Sequence, residues 1–411
     1  MNILYIAEFF PPERVAGAYR AHAISKGLSN RGHNIVVLTT YPNFPTGKRF
    51  NGYGKTYNKY EHLNKRLEVL RFPIIERPNT TISNRLLMYL SFFVLGFFYF
   101  LFHIRLFRKK KFDIVLGSSG PIFVSWLAWW ISALLHSKLV VEYRDLGYML
   151  ISDVGMSRRA FVNKLFKKIE LAPARHAKLI FVLTNGFRTL LQKEGFSKEK
   201  IFVVPNGVTV EDNDRRESNN LGNESLVIGY FGAFGVSQNL SSVINAMLLL
   251  KDYPVSLLLV GDGAEKSKLK KIIEENKIQR VKMYGSVTRP QLEKFYNMCD
   301  ICLVSLKCTK NFSVFIPSKI FDIMAHKKPI LFIGPEGEAS SIIQQAGAGI
   351  FIFDDDPSRI ASVIKEMIKN DKEKFLQMGE KGYNFVAKNY DWRLIVKKYE
   401  NVLLSSLGLS H

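Results

Sequence analysis

Short apolar runs recur along this chain, each followed by a polar or glycine-bearing turn and then a stretch with helical spacing. ILYIAEFF (3–10) is the first run, a buried strand at the very start, and PPERVAGAYR follows it as a loop. A helix through AHAISKGLSNRG then leads to NIVVLTT, the second strand. FDIVLGS, KLVVEYR, LIFVLT and IFVVP continue the series, with a further strand near RLEVLRF. After a polar stretch without apolar period, EDNDRRESNNLGNE (211–224), a second series opens with LVIGYFGAFG. It runs on through VSLLLVGDG, VKMYGSV, ICLVSL, PILFIG and GIFIF. Continuous rather than alternating apolar strands, separated by helices, predict parallel sheets covered on both faces. Two such series predict an α/β protein of two doubly wound, Rossmann-like domains joined at a linker. Sheets of this kind bind ligands beyond the carboxyl ends of their strands, so the expected active-site cleft lies between the two domains.

Two runs depart from the strand pattern. LLMYLSFFVLGFFYFLF (86–102) is long and apolar enough for a helix of about 25 Å, the short end for a membrane span. IFVSWLAWWISALL (122–135) is the second. Strands flank both runs and should share one sheet, which a single crossing would split across a bilayer. Two readings remain: helices simply packed on a sheet face, and, the one preferred, helices that cover the sheet while their outer surface dips into a membrane interface.

Charge sharpens that picture. The net charge is +22 over 411 residues, and residues 1–200 hold 31 Lys+Arg against 12 Asp+Glu, a difference of +19. The N-terminal half is thus a basic body, suited to an anionic partner. RLFRKKK (105–111) follows the first apolar helix and supplies Arg105, Arg108, Lys109, Lys110 and Lys111 as candidates for anionic head groups. A nucleic-acid partner is not expected, because the charge follows apolar helices rather than alternating with stacking aromatics. MNILYIAEFF carries no basic stretch ahead of its apolar run, so no signal peptide is expected, and the expected location is cytoplasmic.

Candidate chemistry sits at strand ends. FIPSKIFDIMAHKKPILF (315–332) places Ser318 and Lys319 at a helix start, with Pro317 before them and Asp322 one turn on. GAFGVSQN (232–239) carries a GxxG at the end of the second series' first strand; LVGDG (259–263) reads as a turn. Gly17, with Arg14 and Arg20, lies after the first strand, where glycine allows close approach of a ligand. Arg144 and Asp145 end another strand of the same series. Cys299, Cys302 and Cys308 include a CxxC without a second pair or a nearby histidine, and read as core residues of a reduced protein. Asp354, Asp355 and Asp356 precede Pro-Ser and read as a helix start rather than a metal site. No metal or other cofactor is expected.

The order and spacing of FPPERVAGAYR, RGHNIVVLTTYPNFPTGK, EYRDL, FVVPNGV, FGAFGVSQNL, LLLVGDG, IPSKIFDIMAHKKPI and GEASSIIQQAGAGI resemble the family-4 glycosyltransferases of the GT-B fold, in the bacterial subgroup that builds surface polysaccharide such as O-antigen or capsule. The resemblance runs through nearly the whole chain. It implies transfer of a sugar from a nucleotide-diphosphate donor, with retention of configuration and no bound metal. A UDP-sugar is the expected donor, and a polyprenyl-diphosphate-linked sugar at the inner face of the plasma membrane the expected acceptor. Residues 1–206 would bind the acceptor and the membrane, 207–389 would bind the donor, and a helix in 390–411 would pack back on the first domain. Gly17, Gly232, Gln238, Ser318, Lys319, Asp322, Glu338 and Ala339 would contact the donor; Lys319, Arg144 and Asp145 would serve catalysis.

Three charges found in many members are absent or shortened. The first of two glutamates eight positions apart falls at Val314, and the second is Asp322. The Arg and Lys that others place on the diphosphate fall at Ala233 and Gln238. Lys319 is the expected substitute cation, aided by the Ser318 hydroxyl and the helix-start N–H groups, with Asp322 toward the ribose. Rival readings are a GT-B enzyme of another reaction, such as a nucleotide-sugar epimerase, and an inactive scaffold.

Overall fold

The computed structural model describes residues 1–44, 46–54, 59–78, 81–120, 122–149, 160–211, 225–369 and 372–408. All but the first residue of the expected linker, 212–224, lies outside them. The chain divides into one unit of Met1–Asn206 with Trp392–His411, and a second of Gly207–Asp391.

The first unit is built on a sheet of β1 (Asn2–Ala7), β2 (Asn34–Thr40), β3 (Lys59–Asn64), β4 (Leu67–Phe72), β5 (Ile114–Ser119), β6 (Lys138–Tyr143), β7 (Leu179–Val182) and β8 (Ile201–Val203). Their order is β3-β4-β2-β1-β5-β6-β7-β8, parallel throughout except for β3 against β4. Sequence pattern missed β3: KYEHLN has no apolar run, and its pairing with β4 at one edge of the sheet gives it order. Strand order reverses between β1 and β5, which pair through Ile3–Ile114 and the four positions beyond, so the switch point of this sheet lies at their carboxyl ends.

Helix α1 (Ala16–Asn30) starts inside the expected loop, so Gly17 belongs to its first turn. Both apolar runs are helices: α2 (Ile82–Phe102), capped by the Thr81 hydroxyl on the Asn84 N–H at 3.2 Å, and α4 (Ile122–Leu135). Between them lies α3 (Ile104–Lys109). α2 connects β4 to β5 of the same sheet and buries Met88, Phe92 and Phe100, while Phe72 of β4 meets Phe92 at 5.2 Å. α5 (Ala160–His176) packs beside α4, where the Trp126 indole donates to the Ile169 carbonyl at 3.0 Å, and α6 (Asn185–Lys193) follows.

The second unit holds β9 (Leu226–Phe231), β10 (Val255–Val260), β11 (Val281–Tyr284), β12 (Ile301–Ser305), β13 (Ile330–Ile333) and β14 (Gly349–Ile352). They form a parallel sheet in the order β11-β10-β9-β12-β13-β14, with its switch point between β9 and β12. The helices are α7 (Leu240–Leu248), α8 (Lys266–Glu275), α9 (Arg289–Met298), α10 (Lys319–Ala325), α11 (Glu338–Ala346), α12 (Pro357–Ile368) and α13 (Lys372–Asn389). Apolar side chains cover both faces, one around Ile228, Leu257 and Leu303, the other around Phe231, Cys302 and Phe332. Cys299 and Cys302 are buried free thiols there, and burial pushes Cys299 up to about 12, as befits core residues.

The last helix, α14 (Trp392–Leu407), joins the first unit. Tyr399 stacks on Phe181 at 4.0 Å, and Glu400 accepts from Arg31 and meets His33 Nε2 at 2.6 Å. Gly27 of α1 is what lets the two helices approach: a Cβ there would sit 2.5 Å from Val396.

Candidate active site

In the second unit the switch point is lined by two laced loops. Gly232 adopts φ +138°, a backbone region that favours glycine, and its N–H donates to the Val260 carbonyl at 3.0 Å. Gly261 and Gly263 of LVGDG press against that loop; a Cβ on Gly261 would fall 1.8 Å from the Gly232 carbonyl. The Phe234 N–H donates to the Asp262 carbonyl at 2.8 Å, so the Gly-Asp-Gly turn supports the glycine loop from behind. Gln238, expected at the donor, turns its Oε1 to the Gly235 N–H at 3.1 Å and braces its own loop. Ser305, at the end of β12, donates to the Gln238 carbonyl at 2.6 Å.

Lys319 points at this loop. Its Nζ lies 3.8 Å from the centre of the Tyr230 ring, and a methyl group on Gly232 would sit 2.8 Å from it. The ammonium is buried without a hydrogen-bond partner, and burial lowers its pKa to about 7. A freely solvated surface lysine is thereby excluded. Ser318 precedes α10 in a helical conformation and makes no side-chain cap; the Ile320 N–H instead reaches the Pro317 carbonyl at 3.1 Å. Asp322 is half-buried, and its carboxyl is raised by burial, offset by His326 and Arg289. Val314 ends the 3-10 segment Lys310–Val314, so no acid stands there.

Glu338 and Ala339 form the first turn of α11, whose preceding Gly337 packs on the Ser313 backbone, 2.1 Å from where a Cβ would lie. Asp356 caps α12 on the Arg359 N–H at 3.0 Å, in keeping with a helix start. Asp355 instead accepts from Asn239 Nδ2 at 2.9 Å and so reaches the end of the glycine loop. Among the described residues no group of three or more His, Cys, Asp or Glu is arranged to hold a metal ion.

In the first unit, Arg144 leaves the end of β6 and donates from Nε to the Ser119 carbonyl at 3.1 Å. Its guanidinium lies over Gly17 and Gly120, where Cβ atoms would fall 1.6 and 2.3 Å from its nitrogens. Gly17 therefore makes room for Arg144, a helical position rather than an open ligand loop. Asp145 is exposed and makes no ion pair with Arg144; its carboxyl is raised by the surrounding protein and pulled back by Arg144. Glu170, on α5, holds this turn by accepting the Gly147 and Tyr148 N–H groups at 2.8 and 2.9 Å. Arg20 is not free for a ligand: it is buried against Glu142 at 2.7 Å and donates to the Val204 and Pro205 carbonyls. Sequence reading had no signal for Glu142, which also accepts from Ser118 at 2.6 Å. Its burial opposes ionisation, but Arg20 and Ser118 lower its pKa.

The basic run divides. Arg105, Arg108, Lys109 and Lys111 are exposed, whereas Lys110 pairs with Glu68 at 2.5 Å. The Lys110 and Lys111 carbonyls accept from Asn2, the first residue of β1, which sets the run at the amino ends of the strands. Arg144 and Gly17 lie at the opposite end of that sheet.

Residues 16–207 match the family described as glycosyl transferase 4-like domain, and residues 211–385 the family of glycosyl transferases group 1. The chain belongs to the GT-B glycosyltransferases. Among its relatives is WcaI of Escherichia coli, named for colanic acid biosynthesis, 23% identical over 79% of this chain and 81% of that one. WbjE of Pseudomonas aeruginosa, named as a glycosyltransferase, is 30% identical over 42% of each chain. Of solved structures, sucrose-phosphate synthase of Thermosynechococcus elongatus superimposes with TM-score 0.77 over 100% of both chains at 16% identity. Anabaena HepE in complex with UDP and glucose gives 0.69 over 98% and 99%, also at 16% identity. This GT-B glycosyltransferase thus has relatives named for bacterial polysaccharide biosynthesis.

Proposed function

We propose that the chain transfers a glycosyl unit, with retention, from a nucleoside-diphosphate sugar to a hydroxyl of a lipid-linked sugar in bacterial surface-polysaccharide assembly. The observation that carries this reading is Lys319. A buried, unpaired ammonium behind a glycine loop at a sheet's switch point is an incomplete anion site, and a diphosphate completes it. In the reaction the bond from the anomeric carbon to the diphosphate breaks and the bond to the acceptor oxygen forms. The acceptor proton leaves with the diphosphate, whose growing charge Lys319 offsets. Asp322 is assigned to the ribose hydroxyls, and Arg144 with Asp145 to the reacting sugar. UDP is the favoured nucleotide because HepE is described with UDP bound; the surface-polysaccharide setting follows WcaI's name. No step needs a metal.

The membrane part of the reading rests on an apolar face. Leu86, Leu90, Val94 and Phe98 recur every fourth residue on α2 and are exposed; Trp130 of α4 and Phe161 of α5, the latter 76% exposed, are further exposed apolar side chains of this unit. Such a stripe on helices that also pack on a sheet suits an interfacial rather than a spanning role.

The test is calorimetric titration with UDP, GDP and ADP, followed by release of nucleotide from the matching sugar donors. Saturable binding of one nucleotide and donor-dependent release support the reading; no binding by any of the three overturns it. Sedimentation with vesicles addresses the membrane. Binding that persists at high salt in the native protein and falls in Phe98→Ser/Phe161→Ser supports the apolar face, and equal binding by both proteins removes it.

A further inference from the structure

At the carboxyl end of β1 the first unit buries a carboxylate that the reaction above does not use. Glu8 is 1% exposed, and neither of its oxygens has a hydrogen-bond partner. Its main chain is fixed, because the Glu8 carbonyl accepts the Thr39 and Thr40 hydroxyls at 3.0 and 3.1 Å. Glu13, also buried, spends Oε1 on the Asn43 and Phe44 N–H groups at 3.1 and 3.0 Å and leaves Oε2 unpaired. The Ser119 hydroxyl, at the end of the neighbouring β5, is buried and unpaired as well. Arg144 stands within electrostatic reach of Glu8, yet it makes no ion pair among the described residues and spends one N–H on the Ser119 carbonyl.

Buried polar groups are almost always paired in working proteins, so this arrangement implies an occupant. A cation is disfavoured by the Arg144 guanidinium, and among the described residues no third His, Cys, Asp or Glu joins Glu8 and Glu13 to hold a metal ion. An anion is disfavoured by Glu8 and Glu13 together. What satisfies the carboxyl and the guanidinium at once is a neutral molecule with adjacent hydroxyls, one bonding to the Glu8 carboxyl and its neighbour accepting from the arginine. The site also lies at the β1–β5 switch point, where such a sheet receives ligands.

We infer that Glu8, with Arg144, forms the subsite that recognises vicinal hydroxyls of the acceptor sugar. The inference rests on the glycosyl-transfer reading. Burial first, and then the Glu13 charge, hold the Glu8 carboxyl well above the usual carboxylate range, while Arg144 lowers it.

Saturation-transfer NMR tests this with the full-length protein and millimolar methyl glycosides of glucose, galactose, mannose, N-acetylglucosamine, rhamnose and fucose. At least one glycoside is expected to give ring-proton signals that fall about tenfold in Glu8→Gln, the loss of one buried hydrogen bond. Glu8→Leu, which fills the same space without polar atoms, should abolish them, and it serves as the folded variant if Glu8→Gln does not fold. UDP, GDP and ADP titrated in the same way report on the donor reading separately. Glycoside signals that depend on Glu8 uphold the subsite even where no nucleotide binds. Absence of signals from every glycoside, or equal signals in native and substituted proteins, overturns it even where a nucleotide binds.

Discussion

Replacing Lys319 with methionine removes one charge while keeping nearly the same chain length against the Tyr230 ring. The native ammonium, with a pKa of about 7, is only about a tenth charged at pH 8 in the empty protein. A bound diphosphate needs it charged, so nucleotide binding at pH 8 should take up about 0.9 of a proton. Affinity should accordingly fall about tenfold per pH unit above 7. Lys319→Met should remove that pH dependence. It should also lower affinity at pH 7 by about 10- to 100-fold, the loss of a charge-assisted hydrogen bond, and turnover by about 100- to 1,000-fold. Stability supplies a second readout. The folded pKa lies below the unfolded one, so between about 7 and 10.5 the unfolded chain holds the extra proton. Stability from this group therefore rises with pH across that window, and Lys319→Met should lack the rise. Calorimetric titration in two buffers of different ionisation enthalpy measures the proton directly. Zero uptake at pH 8, together with native affinity in Lys319→Met, would refute the role given to this lysine.

Other consequences are more local. Gly17→Ala should push Arg144 off its seat, since the added carbon lands 1.6 Å from the guanidinium; glycosyl transfer should fall at least about tenfold with nucleotide affinity unchanged, as steady-state kinetics would show. Glu170, raised to about 7 mainly by burial, should make stability fall as pH rises from about 4.5 to 7, because the folded state holds the proton longer. Denaturant melts of Glu170→Gln against the native protein should show that part of the slope disappear. Gly27→Ala should cost about 1–3 kcal/mol by overpacking α1 against Val396 of α14, read as a lower Tm; an unchanged Tm would deny that close approach. Activity should survive excess EDTA, measured as sugar transfer with and without chelator; loss restored by Mn²⁺ or Mg²⁺ would require a metal step.

The strands and their alternation with helices were legible in the sequence because a parallel strand buried on both faces must be apolar along its length. NIVVLTT and PILFIG can hardly be anything else. The family was legible for a related reason: loops at strand ends carry the ligand, so their residues recur in a fixed order. β3 stayed hidden because its order comes from pairing with β4 and not from any pattern in KYEHLN. Tertiary contact also decided the partners of charged residues. Arg20 and Arg144 look equivalent as arginines near strand ends, yet one is neutralised by Glu142, 122 residues away, and the other faces Gly17 and Gly120. Lys110 belonged to a basic run until Glu68, distant in sequence, claimed it. Lys319 was legible as a cation at a helix start, but its burial against Tyr230 and Gly232 was not, and burial is what sets its proton affinity. Sequence fixes which groups a chain carries and where regular structure begins. Long-range packing removes water from some of those groups and supplies partners to others, and that difference in solvation gives each charge its chemistry.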